Sequence, residues 1–182
     1  NGQTTDIGEL GGSTTAFIGA GGSVNPTWRI GAKNTTNTYA GVIADAGVTS
    51  LIKIGTGTFT LTGPNTYSGS TTVSGGTLMA NSIAGSATGS GTVAVNAGGK
   101  LGGSGVISGP VAVNSNGTLM PGNAPVVLTI SNNLTLAAGS TTIRQIQHTP
   151  LTNSSVKVSD TLNLGGTGIV TNSGGTSLGA GD

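Results

Sequence analysis

Short apolar pairs, each split by one residue, recur along this chain at orderly and lengthening intervals. Val93/Val95 is followed by Val111/Val113 after 18 residues, Leu134/Leu136 after a further 23, and Leu162/Leu164 after a further 28. An apolar residue on either side of a small or polar one has the period of a β-strand with one buried face. Secondary apolar positions fall between the pairs. They are Leu101 and Val106/Ile107 in the first interval, and Leu119 and Val127/Leu128/Ile130 in the second. A period near 20 residues, with about three short strands in each, predicts a coiled solenoid of β-strands. One coil cannot bury its own apolar face, but stacked coils share a core of aliphatic columns. The lengthening interval predicts loops of growing length at one corner.

Strand signals extend beyond these pairs. Runs of β-formers occupy 27–31, 50–54, 58–62, 92–95, 126–130, 133–136, 156–158 and 162–164, each bounded by Gly, Asn, Ser or Pro. Helix signals are nearly absent, because glycine recurs every few residues and costs up to about 1 kcal/mol per helical position relative to alanine. The expected fold is therefore all-β, a parallel β-helix with about three short strands per coil. An antiparallel β-sandwich is the structural rival, since it too has short strands and frequent turns. Asn116-Gly117, a hairpin signal, favours the sandwich; the 20-residue recurrence of apolar runs favours the solenoid.

The composition follows from that architecture. Gly, Thr, Ser and Asn make up 99 of the 182 residues, and only 6% are charged. Tight corners need positive φ, which Gly and Asn accept. Stacking at roughly 4.8 Å sets like residues above like, so charges would repel where hydroxyls do not. Six Lys and Arg against five Asp and Glu leave no basic patch for nucleic acid. The absence of cysteine removes disulfides and thiolate metal sites. No run of 18 apolar residues exists to span a membrane as a helix. The opening NGQTTDIGEL lacks the charged and apolar regions of a signal peptide. Export signal and anchor are therefore expected outside this chain.

Residues 51–78 read LIKIGTGTFTLTGPNTYSGSTTVSGGTL. Through Leu51, Lys53, Gly55, Thr56, Gly57, Thr58, Leu61, Gly63, Asn65, Tyr67, Gly69, Thr71, Val73, Gly76 and Leu78 this segment resembles the autotransporter-associated β-strand repeat. That family occurs in passenger regions of secreted bacterial surface proteins. Residues 38–47, 91–113 and 116–124 fit more loosely, so the resemblance covers about 27–140. It implies a right-handed parallel β-helix, extracellular or at the cell surface. It transfers no catalytic residue. A single domain over 1–182 is expected, with a less regular segment at 1–25 and a longer loop at 144–155.

The remaining residues offer little chemistry. Asp6, Glu9, Asp45, Asp160 and Asp182 are scattered, and Asp6 and Glu9 are read as a solvated N-terminal loop. Gly102–Ile107 and Gly165–Val170 invite comparison with a calcium nonapeptide, but Ile107 and Val170 stand where it needs Asp. No metal or cofactor is expected. Lys53 is read as facing outward, Tyr67 as packing over a corner, and Asn65 as bonding backbone at a turn. Trp28 shares a strand face with Ile30, opposite Arg29, in a core or end-capping role. Arg144, Gln145, Gln147 and His148 form the one densely polar stretch without glycine. They are the candidate contact for a ligand, on a loop carried by a rigid scaffold.

These observations favour a non-enzymatic secreted structural protein, a stalk or passenger segment or a fibre subunit. Its partners would be copies of itself end to end, or adjoining coils of a longer parent chain. The ends support this, since 11–18 and 161–164 both read as strands able to pair. An adhesin or carbohydrate-binding module that holds a surface glycan or matrix ligand is the second reading. A polysaccharide-active β-helix enzyme is the third.

Overall fold

A computed structural model describes residues 2–19, 25–45, 47–122, 125–143, 146–148 and 151–166, with backbone alone for 146–148 and 151–153. The chain opens with β1 (Thr4–Ile7) and β2 (Phe17–Ile18), followed by β3 (Thr27–Ile30), β4 (Asn37–Tyr39) and β5 (Val42–Ile43). Next come β6 (Ser50–Lys53), β7 (Thr58–Leu61), β8 (Thr71–Val73) and β9 (Gly76–Ala80). Three strands then serve each circuit: β10 (Val93–Val95), β11 (Gly99–Gly103) and β12 (Val106–Ile107), then β13 (Val111–Val113), β14 (Thr118–Pro121) and β15 (Val127–Ile130). The last are β16 (Leu134–Leu136), β17 (Thr141–Thr142), β18 (Ile146–His148), β19 (Leu151–Asn153), β20 (Ser155–Val158) and β21 (Leu162–Leu164).

These strands stack into a parallel β-solenoid. The first sheet has eight strands in the order β1-β3-β6-β8-β10-β13-β16-β21, and the second has six, β17-β14-β11-β9-β7-β4. The third face carries β2-β5 low in the stack and β12-β15-β20 high in it. Among the described residues every strand pair is parallel except β18–β19, which excludes the sandwich. No helix among the described residues is long and apolar enough to cross a membrane.

The register reproduces the sequence spacing. Val93 lies beside Val111, Val111 beside Leu134, and Leu134 beside Leu162. Leu101 pairs with Leu119 in the second sheet, and Ile107 with Ile130 on the third face. The lengthening enters at one corner, between the second and third faces. Lys100 to Thr118 and Thr118 to Thr141 step by 18 and 23, whereas Val106 to Thr129 and Thr129 to Lys157 step by 23 and 28. The first extra length falls in sequence between Pro121 and Thr129, and the β18–β19 hairpin lies in the second.

Two columns of inward residues run up the first sheet. One reads Ile30, Lys53, Val73, Val95, Val113, Leu136; the other Trp28, Leu51, Thr71, Val93, Val111, Leu134. The second sheet adds Phe59, Leu78, Leu101 and Leu119. Nearly all are fully buried.

Corners are tied by side chains to the next coil. Asn25, Asn34, Asn81 and Asn133 accept through Oδ1 from the backbone N–H of Val48, Thr56, Ser104 and Thr161 at 2.8, 2.9, 3.0 and 3.1 Å. This uses the Asn that the composition supplies and answers backbone donors that a turn leaves without a ladder. Asn116 turns the corner from β13 to β14 at φ 60°, so Asn116-Gly117 makes a solenoid corner and no hairpin. A left-handed residue suits either turn, and the dipeptide alone does not distinguish them. At another corner the glycines themselves stack. A Cβ on Gly91 would strike the Gly69 carbonyl, and one on Gly109 the Gly91 carbonyl. Only glycine allows this approach.

Of the two N-terminal acids Asp6 differs from expectation, while Glu9 is exposed and outside a strand. Asp6 lies on β1, and its carboxylate meets Arg29 of β3 at 3.2 Å, with both side chains exposed. The pairing of β1 with β3 places it on a strand where a loop was expected. Of 11–18, only Phe17–Ile18 is a strand, with Gly12 making an isolated bridge to Tyr39.

Candidate functional site

The polar stretch at 144–148 lies in the excursion between β17 and β20. Gln147 and His148 belong to β18, which pairs antiparallel with β19: Ile146 opposite Asn153, Gln147 opposite Thr152, His148 opposite Leu151. The expected loop is thus a hairpin, in which the β-formers Ile146, Leu151 and Thr152 each stand opposite a polar residue. Arg144 and Gln145 lie outside the described residues.

The second cluster is interior and sits between β6 and β9. Lys53, Asn65, Tyr67 and Thr71 are all buried, at 1%, 4%, 0% and 0% exposure. Lys53 occupies an aliphatic column, with Ile30 on one side and Val73 on the other. This corrects the outward reading. In Leu51-Ile52-Lys53-Ile54 one phase of the alternation buries Ile52 and Ile54, and the other, the one observed, buries Leu51 with Lys53. A lysine prior chose the wrong phase, and the pairing of Leu51 and Lys53 with Thr71 and Val73 chose the right one. The ammonium donates to the carbonyls of Ile54 (2.6 Å), Gly55 (3.3 Å) and Gly75 (3.2 Å). Gly55 and Gly76 turn their corners at φ 71° and 59°, which turns these carbonyls toward the core. A Cβ on Gly76 would stand 2.8 Å from Lys53 Nζ. Burial pushes the Lys53 pKa below the usual lysine value.

Asn65 acts as an extra peptide unit in the third face. Its Oδ1 accepts from Ile43 N–H at 2.8 Å, one coil below, and its Nδ2 donates to Ala87 C=O at 2.6 Å, one coil above. No strand runs through this face at the level of Asn65, so the amide side chain completes the ladder there. Tyr67, expected over a corner, is inside. Its hydroxyl meets Thr71 Oγ1 at 2.6 Å, and burial pushes its pKa well above the ordinary phenol value, offset in part by Thr71. Thr71 shares a column with Leu51 and Val93.

Asp45 caps the same face from outside. Desolvation raises its pKa, but hydrogen bonds from Ser68 and from the backbone of Thr49 outweigh this and hold it below the usual value. Its Oδ1 accepts from Thr49 N–H at 3.0 Å and from Ser68 N–H, one coil on, at 2.9 Å. Trp28 is half-buried against the core with Ile30 beneath it on the same face, as expected. Among the described residues no three of His, Cys, Asp and Glu come together to hold a metal ion.

The cluster coincides with a known sequence family. Residues 51–80 match the family model of the passenger-associated-transport-repeat. No curated protein matches the chain. The repeat spans β6 to β9 and contains Lys53, Asn65, Tyr67 and Thr71. The positions through which 51–78 resembles the repeat are mostly interior ones: Leu51, Lys53, Leu61, Gly63, Asn65, Tyr67, Gly69, Thr71, Val73 and Leu78 are all buried. The rest lie at the corners and outer strand positions between them. The repeat therefore describes how one coil seats on the next.

Proposed function

We propose that this chain is a non-enzymatic structural segment of a passenger-type protein, exported and displayed at or beyond the bacterial cell surface, where its task is to make length. The burial of the repeat's motif positions carries this reading. A motif that specified catalysis or ligand binding would put its polar chemistry on an outer face or in a cleft, whereas this one puts it between coils. Continuation of the rod, through adjoining coils of a longer parent chain or through copies end to end, fits the two outer strands of the first sheet. Among the described residues β1 and β21 each have one ladder partner, and Leu162 and Leu164 are 51% and 64% exposed. Exposed strand edges template further pairing. Negative-stain microscopy over a concentration series is the test. Rods or filaments of uniform width are expected, together with surface labelling of intact cells. Compact particles, or release of reducing sugar from polysaccharides, would sink the reading.

A second reading has one observation in its favour. The β18–β19 hairpin is the place among the described strands where the chain leaves the parallel stack, and it carries Gln147 and His148. As an adhesin, the protein would use Arg144, Gln145, Gln147 and His148 to hold a surface glycan or matrix ligand. A glycan array with the whole chain and its His148→Ala, Arg144→Ala double variant decides it: binding lost in the variant supports the hairpin, and no binding by either removes it.

A further inference from the structure

The third face lacks a strand at two successive levels between β5 and β12. At the lower level the Asn65 amide takes the strand's place. The upper level is residues 81–90, where Ser86 makes one isolated bridge to Val106. Val106 N–H donates to Ser82 C=O at 2.9 Å, and Val106 C=O accepts from Ala87 N–H at 2.8 Å. A single residue of β12 thus ties Ser82 and Ala87 to itself. Residues 83–86 between them form a short loop, on which Ile83 is 85% exposed.

Two hydroxyls stand at the feet of this loop. Ser82 and Thr88 are both 0% exposed, and neither Ser82 Oγ nor Thr88 Oγ1 has a hydrogen-bond partner in the protein. The polar groups around them are already engaged. The carbonyls of Ser82, Ser86 and Ala87 accept from Val106 N–H, Asn65 N–H and Asn65 Nδ2. The Ser86 hydroxyl donates to Gly89 C=O and accepts from the N–H groups of Thr88 and Ser108. A buried hydroxyl that bonds to nothing carries the whole cost of its desolvation, and nearly all buried polar groups avoid it.

We infer that the solenoid binds ordered water beneath this loop, held by Ser82 Oγ and Thr88 Oγ1. Water both donates and accepts, so it answers a hydroxyl whichever way that hydroxyl turns. It does at this level what the Asn65 amide does one coil below, supplying polar partners where a strand is missing. Ala87, the buried residue next to Thr88, brings only a methyl group into the core. The chemistry disfavours other ligands. A metal ion calls for charged ligands, and among the described residues no three of His, Cys, Asp and Glu come together. Both hydroxyls are fully covered, so a larger solute would have to displace the loop.

The test is magnetic relaxation dispersion of the oxygen nuclei of solvent water around the purified chain, with thermal melting beside it. Oxygen nuclei report internal waters by their long residence and are blind to exchanging hydroxyl protons. Wild type is expected to show a long-lived water contribution. Ser82→Ala and Thr88→Val should each reduce it and melt below wild type, because each leaves the water a partner short. Thr88→Ser keeps the hydroxyl and should keep the contribution. These changes are small in volume, and circular dichroism checks that each variant keeps the fold. Absence of the contribution in wild type would overturn the assignment, as would a contribution that neither Ser82→Ala nor Thr88→Val reduces. So would variants that melt above wild type, since removing a buried hydroxyl that truly has no partner relieves its cost.

Discussion

The coil at 51–80 and the coils at 93–119 stack on the same scaffold, yet their interiors differ. The upper coils bury no polar side chain; beside corner and strand glycines their inward residues are Val93, Val95, Leu101, Ile107, Val111, Val113 and Leu119. The lower coil puts Lys53, Asn65, Tyr67 and Thr71 in equivalent places, each with a hydrogen-bond partner. Where the third face is a strand, as in β12 and β15, backbone pairs with backbone and the interior needs only volume. Where that face turns irregular, as around residues 62–70, the backbone leaves polar groups open and side chains must meet them. Asn65 is therefore a consequence of the missing strand, while Lys53 answers carbonyls at the corners after β6 and β8. The buried polar set also makes one coil unlike the others, and a chain of similar coils gains a fixed register from such a difference.

The largest expected effect comes from removing the substitute peptide. Asn65→Ala orphans the buried Ile43 N–H and Ala87 C=O together, a loss of about 4 kcal/mol in chemical denaturation. A loss no greater than that of an exposed asparagine would break the contrast between the two regions. Leu101→Ala tests the plain interior and should cost about 3 kcal/mol as a cavity. Its melting should carry no pH dependence of its own, since no titratable group borders the deletion in its column.

Tyr67→Phe and Thr71→Val should each cost about 1.5 kcal/mol, because each leaves the other hydroxyl buried without its partner. The double variant should return toward wild type, since it converts Leu51-Thr71-Val93 into an aliphatic column like those above. Additive losses in the double-mutant cycle would contradict a direct pair.

The smallest effect belongs to Asp45. Its pKa is lowered on folding, so its contribution is in place above the ordinary aspartate value of 3.8. The contribution is lost as pH falls below that value through the depressed one. Asp45→Asn keeps an oxygen for Thr49 and Ser68, so at neutral pH it should melt close to wild type. Its acid limb should be flatter than that of wild type, and equal acid limbs would remove the charge from the account.

Much of this could be read before the structure. The intervals of 18, 23 and 28 residues are the coil-to-coil registers, and the growth is confined to one corner, as the lengthening interval implied, though which corner only the structure showed. These features were legible because a parallel stack converts sequence distance directly into strand pairing. The site was less so. Lys53 sits in a run whose alternation works in either phase, and Asn116-Gly117 serves a solenoid corner as well as a hairpin. The hairpin at 146–153 was hidden because a short polar segment with two or three β-formers has no period of its own.

The amino-acid sequence by itself determined a parallel solenoid with aliphatic columns, glycine and asparagine corners and an outer surface poor in charge. Each of those rests on local chemistry repeated at a period: side-chain alternation, positive φ, repulsion between stacked charges. Tertiary structure alone decided which face of each strand turned inward and which polar groups entered the core. Those choices depend on carbonyls and N–H groups contributed by coils 20 or so residues away, as when Ile43 and Ala87 meet across Asn65. No single coil contains the information that its neighbour's backbone will be left unpaired.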